Sequence, residues 1–170
     1  MQKIFWCGLF VALLAGCAGP KYSSSAIEDV GSAEIVIIND VETRSGFQDA
    51  MIDWLFSHNY KFVIKPDGSE HDLDKISLEY VGLWSWDMAI FLADARITAY
   101  HKGQKVGEVK YKASNNFNFS KFGTGAERIK RMMDVLFGKK TTDEVNQTIN
   151  NAKDKNSQDN DCDPGVEPCG

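Results

Sequence analysis

Residues 34–64, EIVIINDVETRSGFQDAMIDWLFSHNYKFVI, decide the fold. Glu34-Ile35-Val36-Ile37-Ile38-Asn39 is a short β-branched run with acidic and amide ends, the pattern of a buried strand. Thr43 and Ser45 offer N-caps, and Ser45 with Gln48 three residues later fits a capping box. Phe47, Ala50, Met51, Trp54 and Leu55 then recur at i, i+3, i+4, i+7 and i+8, an amphipathic helix ending near His58-Asn59. Tyr60-Lys61-Phe62-Val63-Ile64 follows as a second short strand. Strand, helix and strand in that order predict a crossover that leaves the two strands parallel.

Downstream the hydrophobic period shortens to two. Pro66 to Asp74 is an acidic turn region, after which Ile76, Leu78, Tyr80, Trp84 and Trp86 alternate with Ser77, Glu79, Ser85 and Asp87. Gly82 interrupts the apolar parity and is read as a bulge. Ala93, Ala95, Ile97 and Ala99 make one face of the next strand, small enough for helices to pack closely, and Asp94, Arg96, Thr98 and Tyr100 make the other. Lys102-Gly103 supplies a tight turn, and Val106, Glu108 and Lys110 alternate with Gly107, Val109 and Tyr111 to complete an antiparallel hairpin. Beyond an Asn- and Phe-rich loop, Thr124 and Glu127 fit a second capping box. Ile129, Met132, Met133, Leu136 and Phe137 form the helix it opens, closed by Gly138. The fold expected is α+β: a mixed sheet of about five strands, β-α-β then a β-meander, with two helices on one face. Residues 33–138 make this domain, and 139–170, free of aromatics and rich in Asn, Asp, Lys and Thr, are expected to be a polar, largely disordered tail after one short helical stretch.

The start of the chain reads differently. Met1-Gln2-Lys3 is a short, positively charged region, and Ile4 to Leu14 is an apolar run too short to span a bilayer but of the length of a signal-peptide core. Leu14-Ala15-Gly16-Cys17, which ends it, resembles the lipobox of bacterial lipoproteins. The resemblance covers about the first twenty residues and implies that residues 1–16 are a signal peptide, cut between Gly16 and Cys17, with diacylglyceryl on the Cys17 thiol and an acylated new amino terminus. Three acyl chains exceed the two-signal requirement for stable anchoring. That family reads an aspartate after the cysteine as inner-membrane retention. Ala18 stands there instead, which implies the inner leaflet of the outer membrane, facing the periplasm. Residues 17–32 are then a lipidated flexible tether. Of four cysteines, Cys7 leaves with the signal and Cys17 carries lipid, so Cys162 and Cys169 are expected to pair in the oxidising periplasm.

The remaining chemistry is sparse. With 170 residues, 43% hydrophobic and net charge −5, the chain suits a single domain, and its scattered basic residues do not form a nucleic-acid face. Trp84 and Trp86 share a strand face and are either core beneath the helices or, where exposed, a partner site or membrane-facing patch, since Trp is enriched at interface hot spots. His58, His71 and His101 lie in three segments without i, i+4 spacing, which argues against zinc, and Glu70, His71, Asp72 and Asp74 read as a solvated acidic loop. Asp159, Asp161 and Asp163 alternate as in a calcium loop, but Pro164 holds the position of its glycine and Gly170 that of its glutamate. There is no Gly-x-Ser-x-Gly elbow, and Gly123-x-Gly125 lacks the rest of a phosphate fingerprint. The expectation is therefore a protein with no catalytic residues, cofactor or metal: a lipid-anchored envelope lipoprotein that serves as an accessory or partner-binding subunit of a cell-envelope assembly. The layout is similar to small periplasmic lipoprotein domains with that role. The alternatives are a binder or carrier of a small apolar ligand or lipid, held between sheet and Phe-rich loop, and, less favoured, a lipid-anchored hydrolase with residues dispersed in sequence.

Overall fold

The computed structural model describes residues 21–28, 30–31, 33–113 and 124–148. Six strands, β1 (Lys21–Ser25), β2 (Ile35–Ile38), β3 (Phe62–Lys65), β4 (Ile76–Asp87), β5 (Ala89–His101) and β6 (Gln104–Lys112), form one mixed sheet in the order β1-β6-β5-β4-β2-β3. Helices α1 (Ser45–Ser57) and α2 (Gly125–Leu136) join them in a single core, and a short third helix, α3, covers 142–148. The architecture is α+β.

β2 lies between β3 and β4 and runs parallel to both, while every other pairing is antiparallel. Its uninterrupted apolar run follows from that place, because Ile35, Val36, Ile37 and Ile38 are all buried. Phe47, Met51, Trp54 and Leu55 of α1 and Ile129, Met132, Met133 and Leu136 of α2 pack in one cluster with Ile35, Ile37, Leu78, Ile97 and Val109. The two helices are also clasped directly: the indole N–H of Trp54 donates to Asp134 Oδ1 at 2.7 Å, and Lys140 holds the other carboxylate oxygen.

Helix ends follow backbone geometry more than the side-chain caps the sequence suggests. Arg44 is the N-cap of α1 and makes no side-chain cap bond, so the Ser45–Gln48 box does not form. Thr43 instead donates its hydroxyl to Asp40 and accepts the Gly82 amide, tying the approach of α1 to β4. Thr124 caps α2 without a side-chain bond, and α2 closes at Gly138 with φ of 65°. A reciprocal box is made at α3, where the Thr141 amide donates to Glu144 and the Glu144 amide donates to the Thr141 hydroxyl.

Three expectations change. Gly82 is not the bulge: it lies where Phe47 meets the sheet, and a β-carbon there would approach the Phe47 ring to 2.6 Å. The register break falls one residue later, between Leu83 and Trp84. Residues 21–25, read as part of a flexible tether, form an edge strand, because Tyr22 buries its ring against Tyr111, with centroids 5.0 Å apart, and Ile27 is buried beyond it. The domain also continues past 138. Val145 of α3 is buried, and the Asn146 side chain accepts from the Tyr22 amide at 3.2 Å and donates to the Tyr22 carbonyl, covering the outer edge of β1 as a further strand would.

Gly82→Ala is expected to lower the unfolding free energy by about 1–3 kcal/mol, because Phe47 is fully packed and must move; urea denaturation measures the loss. Asn146→Ala is expected to cost about 1 kcal/mol and to speed hydrogen exchange at the Tyr22 amide while leaving the β4 and β5 amides protected.

Candidate functional site

The most unusual surface is the far end of the β4–β5 hairpin. Leu83, Asp94, Lys112 and Lys21 stand in one row across four neighbouring strands. Beyond that row β6 and β1 supply no further paired residues, and β2 pairs β4 only as far as Leu78, so 84–92 continue as a two-stranded ribbon among the described residues. The slip at its base pairs Trp84 with Leu92 and leaves Ala93 as the extra residue, a bulge that increases local twist.

Trp84 and Trp86 share a parity but have different fates. Trp84 is half-buried: it packs on Gly125 at the start of α2, where a β-carbon would collide with the indole, and the Arg44 guanidinium lies 5.4 Å from its ring centre. Its indole N–H is buried without a hydrogen-bond partner among the described residues. Two residues on, the cover has ended. Trp86 is 72% exposed, as is much of Ile90 across from it, and Met88 at the apex is 80% exposed. Met88 also sits at φ of 63°, a conformation that glycine or asparagine adopts at far lower cost. Half of the large exposed hydrophobic side chains among the described residues fall in this one segment, Val81 and Leu83 on the helix-free side of the sheet and Trp86, Met88 and Ile90 at the projecting tip.

A second surface lies on the side of the sheet opposite α1 and α2. The connection between β3 and β4 folds over part of it: His71 meets Glu79 at 2.8 Å and stacks on Tyr100, Asp72 pairs with Lys65, and the Asp72 amide donates to the Ser77 hydroxyl. Ser77 is completely buried as a result. The acidic loop is thus knitted to the sheet through His71 and Asp72. A hydrogen bond from the Asp74 amide, helped by Lys65, holds the Asp72 carboxyl below the usual carboxylate range, and burial pushes the Tyr80 phenol up.

Past this cover a cleft of 520 Å³ opens at the ends of β2 and β3, lined by Asp40, Glu42, Asp67, Glu79 and Tyr80 and bounded by Val81 and Leu83. Tyr80 donates to Asn39 and accepts the Asp40 amide, and Thr43 is held by Asp40, so this polar floor is fixed before anything binds. The arrangement suits a cationic group flanked by an apolar one. No group of three or more His, Cys, Asp or Glu side chains among the described residues is placed to hold a metal ion. Among the described residues the Ser–His contact, Ser57 to His58, caps the end of α1, where both groups reach the Trp54 carbonyl.

Of the residues singled out in the sequence, Trp84 and Trp86 are at the hairpin. Gly16, Cys17, Cys162 and Cys169 lie outside the described residues, as do Asp159, Asp161, Asp163 and the Phe-rich loop. Sequence reading missed Met88 and Ile90. Their signal was a strand reversal at Asp87-Met88-Ala89 with no Gly, Asn or Pro to make it.

Because the Asp72 carboxyl is depressed in the folded protein, its contribution is present above about pH 4 and lost as pH falls further. Acidification is expected to lower the protection factor of the Asp74 amide, which donates to that carboxylate, before those of the sheet amides fall, which hydrogen exchange followed by NMR will show. No protein-family model matches the chain, and no curated protein is similar to it in sequence.

Proposed function

We propose that the chain is a lipid-anchored, periplasm-facing envelope lipoprotein that works without catalysis, as an accessory subunit that binds a protein partner. The observation that carries this reading is the lipobox-like Leu14-Ala15-Gly16-Cys17 followed, four residues after its cysteine, by the first strand of a folded domain. Such a chain keeps its domain at the membrane surface on which the lipid sits. Among the described residues no helix is long and apolar enough to cross a membrane, so the lipid is the anchor this reading rests on.

The partner surface in this reading is the helix-free side of the sheet between the acidic cleft and Leu83. Val81 and Leu83 supply exposed apolar area there, and Asp40, Glu42, Asp67 and Glu79 set the sign of the partner's charge. A partner segment with a lysine or arginine beside an aliphatic side chain fits both halves. Four carboxylates on the lining make a purely apolar ligand the poorer occupant.

In growing cells supplied with an alkynyl fatty acid, the wild-type chain is expected to carry label, to be cut before Cys17 and to sediment with membranes, and Cys17→Ser to be unlabelled and to keep residues 1–16. A Cys17→Ser chain that is still cut at this site and still membrane-bound overturns the anchor. A photo-crosslinker at Val81 of the lipidated chain is expected to capture one protein, and Leu83→Glu to reduce that capture at least tenfold. Capture unchanged by Leu83→Glu removes the partner from this face.

A further inference from the structure

We infer that the tip of the β4–β5 hairpin, Trp86, Met88 and Ile90, lies in the interfacial layer of the same membrane leaflet that holds the acyl chains of Cys17. The domain then rests on the bilayer at two points. The inference depends on the anchoring reading for its geometry, and it assigns the exposed apolar ribbon to lipid rather than to protein.

The register of the sheet carries the argument. Lys21, the first residue of β1, shares a row with Lys112, Asp94 and Leu83, and β1 runs away from the tip. The chain therefore enters the sheet from the end at which the hairpin projects. Cys17 stands four residues before Lys21, so covalent geometry keeps it within about 14 Å of that row. Met88 stands five residues beyond Leu83, and at about 3.3 Å per residue the ribbon reaches about 16 Å past the same row. The chain enters the sheet at the end from which the hairpin projects, and the reach of the four residues back to Cys17 matches the length of the ribbon. A membrane that receives the lipidated thiol is within reach of the hairpin apex.

The chemistry of the tip agrees. Trp is the side chain most at home at the headgroup boundary, and Met and Ile suit the acyl region just below it. The exposed lysines Lys21 and Lys112 lie at the level where anionic headgroups would be met. Met88 adds a separate argument: a large apolar residue in a left-handed conformation, exposed at the apex of a ribbon, does nothing for the packing of this domain. A surface that removes it from water accounts for both its type and its place.

The test uses the full lipidated chain in vesicles of phosphatidylethanolamine and phosphatidylglycerol, with bromine at shallow acyl positions. Brominated lipid is expected to quench a tryptophan component that Trp86→Phe removes, leaving the buried Trp54 emission unchanged. Met88→Asn is expected to hold or raise thermal stability, since asparagine tolerates the left-handed backbone, yet to cut that quenching at least threefold. A structural role for Met88 would move stability in the opposite sense. The unlipidated Cys17→Ser chain added to the same vesicles is expected to bind weakly, and Trp86→Asp to bind at least tenfold more weakly still. Absence of Trp86 quenching in a chain that carries lipid on Cys17 overturns the inference and leaves the anchor standing. Absence of lipid on Cys17 removes the anchor, and the Cys17→Ser comparison then decides the hairpin on its own.

Discussion

The helices of this protein can lie on their sheet only because the sheet sets very small residues where they approach it most closely. Gly82 admits the ring of Phe47, Gly107 admits Ile27 and Leu136, and Ala95 and Ala99 stand beside them in the same two rows. A β-carbon at Gly107 would come within 2.9 Å of Ile27 and 3.0 Å of Leu136, against 2.6 Å from Phe47 at Gly82. Interiors pack at crystal-like density, so a floor one methyl higher could not be absorbed by slack elsewhere. The clasp between Trp54 and Asp134 and the buried methionines of α2 all presuppose that closeness. Larger side chains on the same face, at Trp84 and Trp86, stand where the floor ends.

That boundary explains why one strand serves two purposes. Along β4 the inward parity reads Ile76, Leu78, Tyr80, Gly82, Trp84, Trp86, with nothing in the order of residue types to say where burial stops. It stops because α2 begins at Gly125, which takes the Trp84 indole against its backbone, while the ribbon runs on past that point. Parity tells which side of a sheet a residue faces. Whether that side is covered depends on the length and placement of another element, a tertiary fact.

The legible parts of the fold were those with strong periodicity or strong punctuation. The buried run 35–38, the helix built on Phe47 to Leu55, the alternation through β4 to β6, the turn at Lys102-Gly103 and the stop at Gly138 are all present as read. What escaped was stabilised by single long-range contacts. Lys-Tyr-Ser-Ser-Ser has one apolar residue and the composition of a linker, yet one buried tyrosine and the pairing offered by β6 suffice for an edge strand. The short helix α3 likewise survives on Val145, a capping box and the Asn146 contact to β1. Of the candidate site, the two tryptophans were visible by type, whereas the cleft was not, because its carboxylates come from two connections and from β4, distant in sequence, and meet only through the β2, β3 and β4 arrangement.

The pairing of the first strand has a consequence for the order in which the molecule is assembled. β1 has no partner near it in sequence: its ladder is with β6, and its outer edge is closed by Asn146, 124 residues from Tyr22. Contacts of such separation form late, after local helices and hairpins, because the loop they close must first be gathered in. A chain emerging from its amino terminus thus has β2 through β6 available to fold before β1 can be seated. β1 is correspondingly the last strand to be seated, and the edge of β6 stays open until it is.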